Sequence, residues 1–98
     1  MKDFRELESW RKAHQLALDV YRITDALPKQ EAFGLSLQLK RAATAVPTRI
    51  AEACGRKGDV EFGAGLQRAA AASTELEYLL LLAKDLGYLP VEGYEGMR

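Results

Sequence analysis

The chain has 98 residues, 48% of them hydrophobic, and its fourteen basic and fourteen acidic side chains cancel at neutral pH. That length fits one domain, which at this size buries only about 60–65% of its unfolded surface and therefore gains from oligomerising. The balanced charge gives no whole-chain attraction to nucleic acid or anionic membrane. The single Cys54 excludes an internal disulfide and fits a reducing compartment. The opening "MKDFRELESW" is too charged for a signal peptide, and the longest apolar run, "YLLLLA", falls far below the roughly 18 residues of a membrane span. The expectation is a small cytoplasmic protein with no membrane association.

Prolines and glycines cluster at "LPKQEAFG", "CGRKGD" and "LGYLPVEGYEG", and the apolar spacing between them is helical throughout. The spacing predicts a first helix over about 9–27, with Trp10, Ala13, Ala17, Val20, Tyr21, Thr24 and Leu27 on one side, ended by Pro28. Leu18 falls outside that stripe. A second helix is predicted over 35–54, with Leu35, Leu39, Ala42, Ala43, Val46, Ile50 and Ala53 sharing a face. Its stripe keeps phase through Pro47, which predicts one kinked helix, with the Thr44 and Thr48 hydroxyls or water compensating the Ala43 carbonyl. A third helix is predicted over about 59–86, or about 42 Å at 1.5 Å per residue. Asp59 reads as its N-cap and Gly87 as its stop, with a stripe of Phe62, Leu66, Ala69, Ser73, Leu76, Leu80 and Ala83. "RAAAAS" permits close helix approach. "LEYLLLLA" is apolar all round, which makes Leu79, Leu81 and Leu82 candidates for a subunit interface or for cover by a fourth helix. The stub 87–98 is too short and glycine-rich for a stable helix.

No catalytic constellation appears in the sequence. His14 has no second histidine to work with and reads as a surface or boundary residue; Cys54 reads as a small semi-buried filler. "GRKG" lacks the spaced glycines and Lys-Ser or Lys-Thr of a phosphate loop. The chain is therefore expected to be no enzyme and to hold no metal or cofactor.

Charge is segregated along the chain. Residues 36–57 carry Lys40, Arg41, Arg49, Arg56 and Lys57 against the single acid Glu52, whereas 58–98 carry seven acids against three bases. Two uses of the basic helix follow. Arg41 or Arg49 pairs with Glu75 or Glu77, inside the bundle or across subunits, because a carboxylate beside an apolar stripe needs a partner. Alternatively the five cations face phosphates, and a symmetric oligomer multiplies the patch.

Three segments carry a resemblance. "FRELESWRKAHQLALDVYRIT", the proline-containing "LPKQEAFGLSLQLKRAATAVPTRIAEACGR", and "FGAGLQRAAAASTELEYLLLLAKDLGYL" with Ser73, Glu75 and Glu77 together resemble the four-helix-bundle proteins of the 23S rRNA intervening-sequence family. That family includes accessory proteins of diversity-generating retroelements. The resemblance implies an all-α, antiparallel up-down bundle over 1–98, no enzymatic activity, and a homo-oligomer in the form of a five-membered ring. In the accessory branch it further implies a basic surface for nucleic acid and a protein partner, a reverse transcriptase. Arg49 stands where the family commonly has asparagine, Ala53 and Ala72 stand at common glycine positions, and the fourth helix is short or missing. The leading expectation is an oligomeric bundle that binds structured RNA or DNA through the second helix. The alternative is a protein-interaction scaffold whose arginines serve interhelix salt bridges.

Overall fold

The computed structural model of the chain describes residues 2–90 and Tyr94. It is all-α: helix α1 spans Glu8–Thr24, α2 spans Leu35–Cys54 and α3 spans Asp59–Asp85, with one-turn 3-10 segments at Phe4–Glu6 and Lys29–Glu31. No strand occurs among the described residues. The molecule measures 44 × 22 × 17 Å, and α3 alone is about 40 Å long, so the helices lie along the long axis and the short loops reverse the chain between them. α2 is the middle element, packed against both α1 and α3, which hardly touch each other.

That position explains why α2 is buried on two sides. All seven residues of its expected stripe are buried, and Ser36, Pro47 and Cys54 join them. α2 runs without interruption through Pro47. The hydroxyl of Thr44 donates to the carbonyls of Lys40 (3.0 Å) and Arg41 (3.2 Å) rather than compensating the Ala43 carbonyl, and Thr48 is exposed.

α1 stops at Thr24, three residues before the expected end, because Asp25, Ala26 and Leu27 bond three residues back, to Arg22, Ile23 and Thr24. This tighter turn leads into Pro28, which disfavours helical geometry at the residue before it. Leu27 is buried all the same. At the other junction Gly58, with φ of 83°, stands at the N-cap of α3, and Asp59 is its first helical residue with no side-chain cap. Its carboxylate acts instead on the positive end of the helix dipole. The far end matches the sequence reading: Gly87 takes φ of 82°, its N–H reaches Lys84, and Tyr88 N–H reaches Ala83. This double closure satisfies the last carbonyls and needs a left-handed residue.

The core of α3 is shifted from expectation. Gly65, Ala69, Leu76, Leu79, Leu80 and Ala83 are buried, whereas Ser73 is exposed and Phe62 and Leu66 are only half-buried. α2 and α3 come together at Gly65, where an added Cβ would lie 2.6 Å from the Cβ of Ala53. Close approach is marked at this glycine, and of "RAAAAS" Ala69 is buried against Val46 and Ile50 with Ala72 beside it, whereas Ala70 and Ala71 are exposed. The C-terminal segment contributes more than a stub. Leu89 and Tyr94 are buried in the same cluster as Leu39, Leu76 and Leu80, Tyr94 N–H bonds the Pro90 carbonyl, and the Lys84 ammonium lies 5.1 Å from the Tyr94 ring centroid. Residues 91–93 and 95–98 lie outside the described residues.

Candidate nucleic-acid and assembly surfaces

The five cations of residues 40–57 do not form one patch. Lys40 is half-buried with its ammonium 5.3 Å from the Tyr21 ring centroid, and Arg41 beside it is exposed. Arg49 pairs with Glu52 at 3.0 Å, one turn away on the same helix. Arg56 and Lys57 are exposed in the hairpin loop, about 22 Å along the axis from Arg41. There they meet a cation that sequence reasoning missed: Arg56 and Arg68 line one hollow of about 290 Å³ with Glu61 and Ala64. Arg68 comes from the acidic half of the chain. Only the hairpin register set by Gly65 against Ala53 brings it back beside Arg56, and segment-by-segment charge does not reveal that. The N-terminal segment adds Lys2 to this end, its N–H bonded to the Cys54 carbonyl and its ammonium 4.4 Å from the Phe62 ring centroid.

The expected interhelix salt bridges are not found among the described residues. Every ion pair among the described residues is local: Arg5–Asp3, Lys12–Glu8, Arg22–Asp19, Arg49–Glu52 and Lys84–Asp85. Glu75 and Glu77 are both exposed and unpaired among the described residues, as is Arg41. Glu77 does not need a buried partner because the core stripe of α3 lies on the Leu76–Leu80 side, which leaves its carboxylate in water. The apolar face at 79–82 likewise divides. Leu79 is part of the chain's own core, a correction to its reading as an interface residue, because Leu89 and Tyr94 belong to the cluster that encloses it. Leu82 is half-buried against the core and Leu81 is exposed.

A second surface emerges between α1 and α2. Here Phe4, Trp10, His14, Leu18 and Tyr21 face Thr44, Pro47, Thr48 and Ala51 across an open groove of about 440 Å³, with Ala17 also in its lining. Trp10 stacks on His14 at 4.9 Å and 9°, and Phe4 tilts against Trp10 at 4.9 Å. His14 is exposed, a stacked surface residue. Leu18 and Tyr21 remain 39% and 46% exposed. Pro47, singled out as a helix kink, lines this groove.

Among the described residues no three His, Cys, Asp or Glu side chains gather as metal ligands, and no helix is long and apolar enough to cross a membrane. Cys54 is buried as a free thiol. The class defined by these observations is a small all-α protein with a packed three-helix core, a charged hairpin end where Arg56, Lys57 and Arg68 stand beside Asp59 and Glu61, and an open apolar groove. The chain matches the family described as 23S rRNA-intervening sequence protein over residues 5–98, and it belongs to that family. No individually curated protein matches it.

Proposed function

We propose that this protein is a non-enzymatic, self-associating helical module that binds structured RNA or DNA through the cations at its α2–α3 hairpin end. The observation that carries the reading is how the basic side chains are disposed. Of the cations at 40–57 only Arg49 has an ion-pair partner among the described residues, while Arg56 and Lys57 stay exposed and Arg68 lines one hollow with Arg56, the three cations outnumbering the acid Glu61 that shares it. Neutral net charge does not oppose this, because phosphate attraction depends on local clustering and falls off within about 10 Å at 0.1 M salt. Repeating the cluster by self-association multiplies the phosphate contacts, each of which steepens the salt dependence.

The test is a binding titration against RNA and DNA hairpins at several salt concentrations. The expected outcome is uptake that weakens steeply with salt, and its loss in an Arg56→Glu, Arg68→Glu variant of unchanged helicity. Absence of uptake at low salt would remove the reading. A scaffold without nucleic acid is the second reading, and it has its own support in the α1–α2 groove, a 440 Å³ apolar surface open to a protein partner.

A further inference from the structure

The hairpin end and the α1–α2 groove meet. Ala51, in the groove lining, lies one turn before α2 ends at Cys54 and the chain enters the loop of Arg56 and Lys57. The N-terminal segment joins them as well. Lys2 is bonded to the Cys54 carbonyl at the hairpin end, and two residues later Phe4 enters the groove lining. A linear ligand held at the hairpin end therefore reaches the groove at this mouth.

The groove offers rings more than aliphatic holes. Phe4 tilts on Trp10, Trp10 stacks on the exposed His14, and Tyr21 follows two turns further along α1. Leu18 is the one large aliphatic side chain in this lining, which leaves little for the apolar knobs of a partner helix. Between His14 and Tyr21 the floor is the small pair Ala17 and Thr44. Those two ring positions are about 10 Å apart along α1. A flat ring set between them meets both within the about 4.5–7 Å centroid separation of aromatic pairs.

Cations stand at both ends. Lys40 lies over the Tyr21 ring with exposed Arg41 beside it, and at the Phe4 end the guanidinium of Arg11 donates to the Arg5 carbonyl. None of these three has a carboxylate partner among the described residues. The acids of this side are mostly engaged, Asp3 by Arg5, Glu8 by Lys12, Asp19 by Arg22 and Glu52 by Arg49, which leaves exposed Glu6 and Asp25. Cations at the ends with rings between them suit a strand whose backbone is held by charge while its bases stack.

We propose that the α1–α2 groove takes unpaired nucleotides of the same nucleic acid whose phosphates are held at the hairpin end. One base stacks between His14 and Tyr21, with the exposed Thr48 hydroxyl at its edge and the flanking phosphates toward Arg41 and Arg11. This rests on the nucleic-acid reading above and adds to it a demand for unpaired bases. Every base has a π-face, so the groove selects pairing state and not sequence.

The experiment follows the fluorescence of Trp10, the chain's single tryptophan. An unpaired oligonucleotide, a blunt duplex of the same length, or adenosine monophosphate is titrated into the full chain at low salt. Uptake is read in parallel from the anisotropy of labelled oligonucleotide. The unpaired strand is expected to bind and quench Trp10, and the duplex to bind without quenching. Tyr21→Leu is expected to weaken the unpaired strand about fivefold or more, the usual effect of losing one base–ring stack. Its duplex affinity and subunit mass are expected to stay unchanged, and Tyr21→Phe, which keeps the ring, to match the wild type. Should Tyr21→Leu alter the far-ultraviolet circular dichroism, Thr48→Glu replaces it. No uptake of either oligonucleotide overturns both the nucleic-acid reading and this one. Uptake with Trp10 unquenched, quenching by the duplex equal to that by the strand, or equal weakening of both in Tyr21→Leu overturns the groove assignment alone. A fall in subunit mass in that variant also overturns it and makes the groove a face between copies. Quenching by adenosine monophosphate at the concentrations that suffice for the strand overturns it too, in favour of a pocket for free nucleotides.

Discussion

The two flanks of α2 are made by one helix and end differently. Toward α3 the seam is tight, because Gly65 and Ala53 let the backbones approach until no Cβ can be added. Toward α1 the facing residues include Trp10, Tyr21 and Leu18, whose size holds the outer edges apart over the small floor of Ala17, Thr44 and Ala51. Both flanks contribute to the core, the α1 side through Ala13, Ala17 and Val20, yet the α1 side also leaves an open apolar groove at its outer edge. Side-chain volume at facing positions makes the difference: small against small closes a seam, whereas large groups beside small ones leave a groove.

Large-to-small substitutions measure this contrast most directly. Leu76→Ala removes a side chain only 1% exposed and is expected to cost about 2–5 kcal/mol through lost burial and the cavity left behind. Leu18→Ala on the groove edge is expected to cost under about 0.5 kcal/mol. Urea denaturation of the two variants checks the pair, and equal losses would erase the distinction between flanks. Next in size is Gly65→Ala. The added methyl falls 2.6 Å from the Ala53 Cβ and 3.0 Å from its Cα, so overpacking of about 1–3 kcal/mol is expected, offset in part by alanine's better helix propensity of about 1 kcal/mol. Ala53→Gly added to Gly65→Ala should restore much of the loss, and a double-mutant cycle that shows additivity would mean the seam is not closed at this point.

How far this contrast could be read in advance depended on side-chain size. The α2 stripe was legible in full because Leu35, Leu39, Val46 and Ile50 mark its phase unambiguously. In α3 the run from Ala69 to Ala72 contains no large residue to fix the phase, and Ser73, inward by spacing alone, is exposed. Tyr21 lies on the α1 stripe by angle, but its length carries the ring to the groove edge. The basic character of α2 was legible as composition. Its division into a groove side and a hairpin end was not, because segment charge does not reveal that Arg49 turns to Glu52 or that Arg68 returns to Arg56.

A smaller effect tests how the α1–α2 connection is tied to the end of α3. Glu31 accepts a bond from Leu35 N–H at 3.1 Å, doing for α2 what its N-cap Gly34 cannot, and its other oxygen accepts the Tyr88 hydroxyl proton at 3.1 Å. Glu31→Ala is expected to cost about 1 kcal/mol, the usual loss for a helix N-terminal cap. The same contact predicts an alkaline signature. The hydrogen bond to the Glu31 carboxylate, then burial, then charge repulsion raise the Tyr88 pKa above its ordinary 10.0. The folded chain thus holds this proton more tightly than the unfolded one. The contribution is complete below the unfolded pKa and disappears as pH rises through the raised folded value. Unfolding titrations from pH 8 upward should show the wild type losing stability faster than Tyr88→Phe, and parallel curves would show that the Glu31 contact does not hold the hydroxyl proton.

The smallest expected effect lies on the solvent side of α2. Arg49 and Glu52 form an exposed pair one turn apart, with side chains 41% and 50% accessible, and such pairs contribute about 0.3–0.5 kcal/mol. Arg49→Ala should therefore hardly shift the urea midpoint in 0.1 M salt, and not measurably in 1 M salt, where screening removes what remains. A loss above about 1 kcal/mol that persists at high salt would mean that Arg49 does not act through its solvent-exposed bond to Glu52. Dilution decides what such a loss means. If it vanishes once the wild type is diluted to single chains, Arg49 belongs to a contact between copies. If it persists there, the arginine's aliphatic stem supports the seam between α2 and α3, and the boundary between the packed and open sides of α2 has to be redrawn to include it.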